Sequence, residues 1–221
     1  MNSPQAKQFR LNQLREAWTG CRACPLHEKR KNIVHGYGNV DADVMLIGEA
    51  PGATEDDHGL PFLGNAGQLL DQYLGQVSIR PDVLDVFDSK PIDFRQLRHL
   101  LLEDYFYTNV VCCRPPDNRD PFTGEADTCR PRLLEMLYTV DPLIVVALGK
   151  IAATALLGRA VSITRERGKL YEINMTGRRG TYKLPVMVML HPSFLARENS
   201  FGPGSPEIGR ASCRERVSSP V

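Results

Sequence analysis

Four places in this chain carry residue types at spacings that chemistry needs. Cys21-x-x-Cys24 is a tight pair, Cys112, Cys113 and Cys129 follow much later, and Cys213 lies near the end. Four thiolates from such a set can hold zinc or an iron–sulfur cluster, and spacing alone does not choose between them. The second place is GEAPGATEDDHGLPFLGNAG, residues 48–67. Its small residues at 48, 50, 52 and 53 let a ligand approach the backbone, while Glu49, Glu55 and Asp56 supply carboxylates. It lacks the Gly-Lys-Ser/Thr of a P-loop, which argues against binding a nucleoside triphosphate. Third, Thr108-Asn109 sits in the apolar run YFYTNVV. A buried Asn must satisfy its amide, and its donor and acceptor together suit the edge of a nucleobase. Fourth, His191-Pro192-Ser193 follows the last apolar run.

Elements must exist to carry these residues. Apolar positions at Phe9, Leu11, Leu14 and Trp18 predict a helix over 4–18 that ends at Gly20 and delivers Cys21 and Cys24 on a turn. Short apolar runs at 44–47, 107–112, 143–148 and 186–190 read as buried parallel strands. Helical spacing recurs over 66–77, 95–104, 125–139 and 150–157. The Pro- and Asp-containing stretch 78–95 reads as an irregular surface insertion, 114–124 as a loop and 161–185 as a hairpin. Strand and helix alternate, so the fold class is α/β: a three-layer arrangement with a central four-stranded parallel sheet flanked by helices. In such sheets ligands bind outside the carboxyl ends of the strands, which is where Glu49, Asn109 and His191 fall. Alternation along a strand sends Cys112 and Cys113 to opposite faces, so only one of them can join a thiolate set.

Composition bounds the rest. The 221 residues are 42% hydrophobic and 24% charged, with a net charge of +1, as in an ordinary folded soluble protein. No apolar run approaches the roughly 18 residues of a membrane span, and the polar start lacks a signal-peptide core, so a cytoplasmic location is expected. A single domain is expected over 1–201. Residues 202–221, rich in Gly, Pro, Ser and Arg, read as a disordered or foreign tail that takes Cys213 with it. Near-neutral charge means that any nucleic acid must be held by local patches.

Taken in order, CRACPL, GEAPG with its ED, GLPFLGNAGQLL, TNVVCCRPPDNRDP with the following Glu125 and Cys129, VVALG and HPSFLAR resemble the family-four uracil-DNA glycosylases. These form the iron–sulfur branch of the uracil glycosylase superfamily, and the likeness runs from about Cys21 to Arg197. It implies that Cys21, Cys24, Cys113 and Cys129 ligate a [4Fe–4S] cluster. It implies that Phe62 stacks on a flipped uracil, Asn109 pairs with its edge, and His191 faces its O2. Glu49, with the backbone of Ala50, Gly52 and Ala53, would line the sugar and water side. Ala50 stands where another branch has Asp, which leaves Glu49 or Glu55 to activate water. Ser193, Phe194 and Leu195 would press into the minor groove. By position, Arg114, Arg119, Arg130 and Lys150 are candidates to grip phosphates. The implied partner is uracil-containing DNA, single- or double-stranded, bound by a monomer without a membrane. The stretch 78–98 is longer than is usual for the family.

The implied activity is hydrolysis of the uracil N-glycosidic bond, the start of base-excision repair. The alternative is a non-catalytic DNA-binding module of the same fold associated with replication. A variant that stays covalently attached to the abasic sugar ranks lower, because its relatives carry a His-containing insertion after the RPP loop and DNRDPFTGEADTC has none. A zinc-ribbon regulator is the remaining competitor.

Overall fold

A computed structural model describes residues 3–89, 91–177 and 180–197. The expected tail, 202–221, and Cys213 lie outside the described residues. Four strands, β2 (Val44–Gly48), β3 (Tyr105–Asn109), β4 (Ile144–Leu148) and β6 (Gly180–Met189), form the parallel centre in the order β3-β2-β4-β6. The four expected parallel strands are present, and two more extend the sheet. β1 (Tyr37–Gly38) pairs antiparallel with β3 at one edge, and β5 (Leu170–Gly177) pairs antiparallel with β6 at the other. A two-residue strand leaves no period to read, and β5 is the first arm of the expected hairpin.

β6 serves two roles along its length. Up to Pro185 it has only β5 as neighbour, and from Val186 it also pairs with β4. Proline cannot donate to a ladder, so it is tolerated where the strand is still an edge.

Alternation along the strands separates two faces. Met45, Ile47, Phe106, Val145, Ala147, Val186 and Val188 are wholly buried and share one core with Leu11, Leu14, Leu133 and Leu137. Those leucines come from α1 (Pro4–Trp18) and α6 (Thr123–Val140), which lie against each other. Phe9, expected on the apolar side of α1, is exposed. Leu46, Tyr107 and Leu148 face the other way and pack with Phe62 and Leu70. Leu70 belongs to α3 (Asn65–Val77).

The stretch 78–95 is not irregular. α4 (Pro81–Asp88) starts on a proline and α5 (Phe94–Leu101) is capped by Asp93, whose carboxylate accepts from the backbone N–H groups of Arg95 and Gln96. Val83 and Val86 of α4 meet Leu97 and Leu101 of α5 in a small core of their own, and both helices pack on α3. Three aspartates in eight residues hide so short an apolar stripe. The Gly/Pro-rich loop 48–65 likewise contains a helix, α2 (Ala53–His58), closed by Gly59 in the left-handed region. Between β4 and β5 run α7 (Lys150–Leu157) and the single turn α8 (Ile163–Glu166), and α9 (Pro192–Arg197) follows β6.

Chain direction places the site. From β2 the chain winds out to β3, then returns past β2 to β4 and β6. The reversal opens a crevice at the carboxyl ends of β2 and β4, flanked by those of β3 and β6.

Candidate active site

Gly48 is the floor of this crevice. It pairs with Asn109 across the β2–β3 ladder, and both fall on the face that carries Phe62. A Cβ on Gly48 would stand 2.5 Å from Asn109 Oδ1 and 2.6 Å from Phe62 Cζ. Glycine is required there because the amide and the ring close over the bare backbone. Asn109 is only 3% exposed, with its Oδ1 turned to the Gly48 backbone.

Two further hydrogen bonds extend the ladder past the strands. Val110 N–H donates to Gly48 O at 2.9 Å and Val111 N–H to Glu49 O at 3.1 Å, which sets Glu49 at the rim, half-buried. Ala50 is half-buried and packs against the main core.

Glu55 is not free to activate water. Its carboxylate, 8% exposed, accepts from Gly52 N–H at 3.0 Å and Gly64 N–H at 2.7 Å, bracing the two ends of α2's loop. Asp56 is equally committed, accepting from the N–H groups of Lys31 and Asn32. Glu49, the other carboxylate singled out above, directly follows β2 at the edge of the crevice.

Phe62 has φ = 57°, a left-handed conformation that a large side chain adopts at a cost of about 1–2 kcal/mol. The turn is backed by Gly67 in the first part of α3, where any Cβ would run into the Phe62 carbonyl. Phe62 is 6% exposed, and its ring lies 5.9 Å from that of Tyr107.

On the far side of the crevice, Gly149 (φ = 95°) joins β4 to α7, and a Cβ there would sit 3.0 Å from His191 Cβ. The bare backbone lets His191 lie close over the end of β4. Ser193 N–H donates to His191 Nδ1 at 3.2 Å, and the Ser193 hydroxyl lies 2.7 Å from the same atom. A nitrogen that accepts a backbone N–H carries a lone pair, so the proton of the neutral ring sits on Nε2. Because α9 begins at Pro192 and packs on α3, Ser193, Phe194 and Leu195 open a helix rather than a loop.

The cysteines gather just beyond the end of β3. The strand stops at Asn109, and 110–113 is a bend, so strand alternation does not govern Cys112 and Cys113. Both are buried, and Cys112 Sγ lies 3.6 Å from Cys129 Sγ. Arg30 ties the two halves of the set together, donating to Cys113 Sγ at 3.2 Å and to Cys21 O at 2.6 Å. Contact with Cys112, opposed by burial and helped by Arg30, pulls the Cys113 thiol down. Burial pushes the Cys24 thiol up, with Cys129 and Cys21 among its neighbours. All five described cysteines are free of disulfides. Among the described residues no group of three or more His, Cys, Asp or Glu side chains is placed to hold a metal ion.

Arg132 was not foreseen from the sequence. It is 1% exposed on α6, and Nη2 donates to Asn109 O at 2.7 Å and Val110 O at 3.3 Å. Burial opposes the charge of its guanidinium, and interaction with Cys112, Cys129 and Cys113 outweighs that cost. One buried cation therefore joins the thiols to the backbone that presents Asn109. A charged residue at an apolar helical position was the available signal. Arg132→Met is expected to lower stability by about 1–3 kcal/mol, because two buried carbonyls lose their donor. Thermal denaturation checks it.

The expected phosphate contacts divide. Arg119 is held by Glu125, at 2.7 and 2.9 Å, and Arg130 donates to Ala155 O, so both have structural work. Arg114 is tied to Asn118 Oδ1, and Lys150 is exposed at the start of α7.

Known proteins match this chain over most of its length. The profile of the Uracil DNA glycosylase superfamily matches residues 35–207. The Type-4 uracil-DNA glycosylase of Thermotoga maritima is 38% identical over 181 residues, 81% of this chain and 80% of that protein. That of Pyrobaculum aerophilum is 36% identical over 192 residues, covering 85% of each chain. That of Archaeoglobus fulgidus is 35% identical over 177 residues, 78% of this chain and 76% of its own. By these matches, over the same residues that build the crevice, the chain belongs to the uracil DNA glycosylase superfamily, in its type-4 branch.

Proposed function

We propose that this enzyme takes uracil out of DNA and hydrolyses its N-glycosidic bond, starting base-excision repair. The observation that carries the reading is the Asn109 amide, nearly buried beside Phe62 over the bare backbone of Gly48. Donor and acceptor on one amide match the carbonyl and N–H on one edge of uracil, and an aromatic ring beside them supplies a stacking surface.

A base within a duplex cannot reach this depth, so it must be extruded at a cost of a few kcal/mol. The bond from C1′ to N1 then breaks, and its electron pair leaves with uracil while positive charge grows on the sugar. His191, protonated on Nε2, offers a donor to O2, where the negative charge collects. Glu49 at the rim places a carboxylate on the sugar side. A water oxygen bonds to C1′ and gives up a proton, for which Glu49 is the acceptor this crevice provides. The backbone of Ala50 and Gly52 walls that side.

The thiols fit an iron–sulfur cluster by their chemistry. They are soft donors, and Arg30 links the turn that carries Cys21 to the bend that carries Cys113. We assign Cys21, Cys24, Cys113 and Cys129 to a [4Fe–4S] cluster. When bound, it supplies a covalent staple between the turn after α1, the bend after β3 and α6. Cys112, close to Cys129, is left outside. Cys113→Ser is expected to abolish the visible absorption of anaerobically purified protein, while Cys112→Ser keeps it. The reverse result would exchange the two assignments, and a colourless parent containing zinc would remove the cluster.

The function is tested by incubating the chain with single- and double-stranded oligonucleotides that hold one uracil. Free uracil is expected from both parent assays. DNA binding without uracil release would favour the non-catalytic module instead.

A further inference from the structure

The α4–α5 segment delivers one side chain to the site. Arg98, on α5, donates from Nη1 to Asp71 Oδ1 of α3 at 2.8 Å and from Nη2 to Pro61 O at 3.0 Å. Its guanidinium carbon lies 3.8 Å over the ring of Tyr107. The two charged side chains are 11% and 4% exposed. Pro61 is the residue before Phe62, and Tyr107 is the aromatic neighbour of Phe62. Among the described residues the buried Tyr107 hydroxyl has no hydrogen-bond partner, so packing on its faces and edge holds that ring.

A buried ion pair is weak evidence for stability, because desolvation offsets the attraction. This one does something an apolar pair cannot. It fixes the peptide that leads into a left-handed phenylalanine, a conformation that persists only when its surroundings impose it. The planar fork of arginine reaches two acceptors at once while its face covers a ring, which lysine cannot do.

We propose that Arg98, oriented by Asp71, is a positioning residue that holds Phe62 at the angle at which it meets the flipped base, and that this is the contribution of the 78–101 segment to the enzyme. The inference rests on the uracil reading above. Gly67 backs the Phe62 turn from one side, and Arg98 ties it down from the other.

The test is a cycle of Arg98→Met, Phe62→Ala and the double variant, with Arg98→Lys and Asp71→Asn alongside. Each is assayed for kcat and KM on a single-stranded oligonucleotide with uracil beside 2-aminopurine, whose fluorescence reports stacking of its neighbour. Arg98→Met is expected to lower kcat/KM about tenfold and to change the fluorescence on binding, with Arg98→Lys intermediate. In the Phe62→Ala background the same substitution should change kcat/KM less than twofold. Independent effects that multiply, or an Arg98→Met chain equal to the parent, would overturn the proposal. Should Arg98→Met fail to fold, Asp71→Asn carries the same cycle. A parent that releases no uracil removes the functional reading and this inference together, whereas an active parent with multiplying effects removes only the inference.

Discussion

A His191→Leu chain is expected to release uracil about 10²–10³-fold more slowly than the parent, with the loss in kcat rather than KM. The reason lies in when the donor matters. In the bound ground state the uracil O2 is an ordinary carbonyl oxygen. Charge reaches it only as the bond to the sugar stretches, so an Nε2–H aimed there binds the transition state better than the substrate. Asn109→Ala should behave differently, raising KM as well as lowering kcat, since pairing with the base edge is made in both states. Ser193→Ala separates the two supports of His191. It removes the hydroxyl and keeps the backbone N–H that donates to Nδ1. A loss below tenfold is expected, because the N–H alone still selects the tautomer. Steady-state release from a uracil oligonucleotide measures all three. An equal loss in kcat/KM carried wholly by KM in His191→Leu would remove the electrophilic role.

The second large effect is on stability. Gly67→Ala is expected to lower stability by about 3 kcal/mol, because a Cβ there meets the Phe62 backbone rather than a movable side-chain tip. For a chain of this size that corresponds to a fall in Tm of roughly 6–12 °C. Relief requires Phe62 to move, so activity measured below the transition should fall as well. Gly59→Ala is the control. Gly59 sits in the left-handed region, but a Cβ there finds nothing closer than 3.8 Å, at Asn32. Backbone strain alone acts on it. A Gly67→Ala chain as stable as Gly59→Ala would show that the contact with Phe62 is not what demands glycine.

How much of the fold and the site can be read from the residues alone depends on the range of the cause. The four parallel strands are legible because burial on both faces writes a continuous apolar run, as in Val44-Met45-Leu46-Ile47. The strand-end positions of Glu49, Asn109 and His191 are legible because each ends or follows such a run. The role of Glu55 is not, since its partners Gly52 and Gly64 are met only once α2 closes the loop on itself. Strand alternation misleads at Cys112 and Cys113, where the chain bends three residues earlier than its apolar content suggests. Arg98 and Arg132 escape notice for a common reason. An arginine in a helical stretch reads as solvent-facing, and only the tertiary fold supplies the carbonyls at Pro61, Asn109 and Val110 that bring each one inside.

The Arg132 tie has a consequence for motion. The carbonyls of Asn109 and Val110 are held from α6, while the amides of Val110 and Val111 are held by Gly48 and Glu49. This short piece of chain is thus fastened on both sides of its peptide plane, at the junction between crevice and thiols. Local fluctuations that free one fastening leave the other in place. Deuterium should therefore enter these two amides slowly, since Arg132 holds the peptides in register with Gly48 and Glu49, and faster exchange in Arg132→Met would measure what that tie contributes.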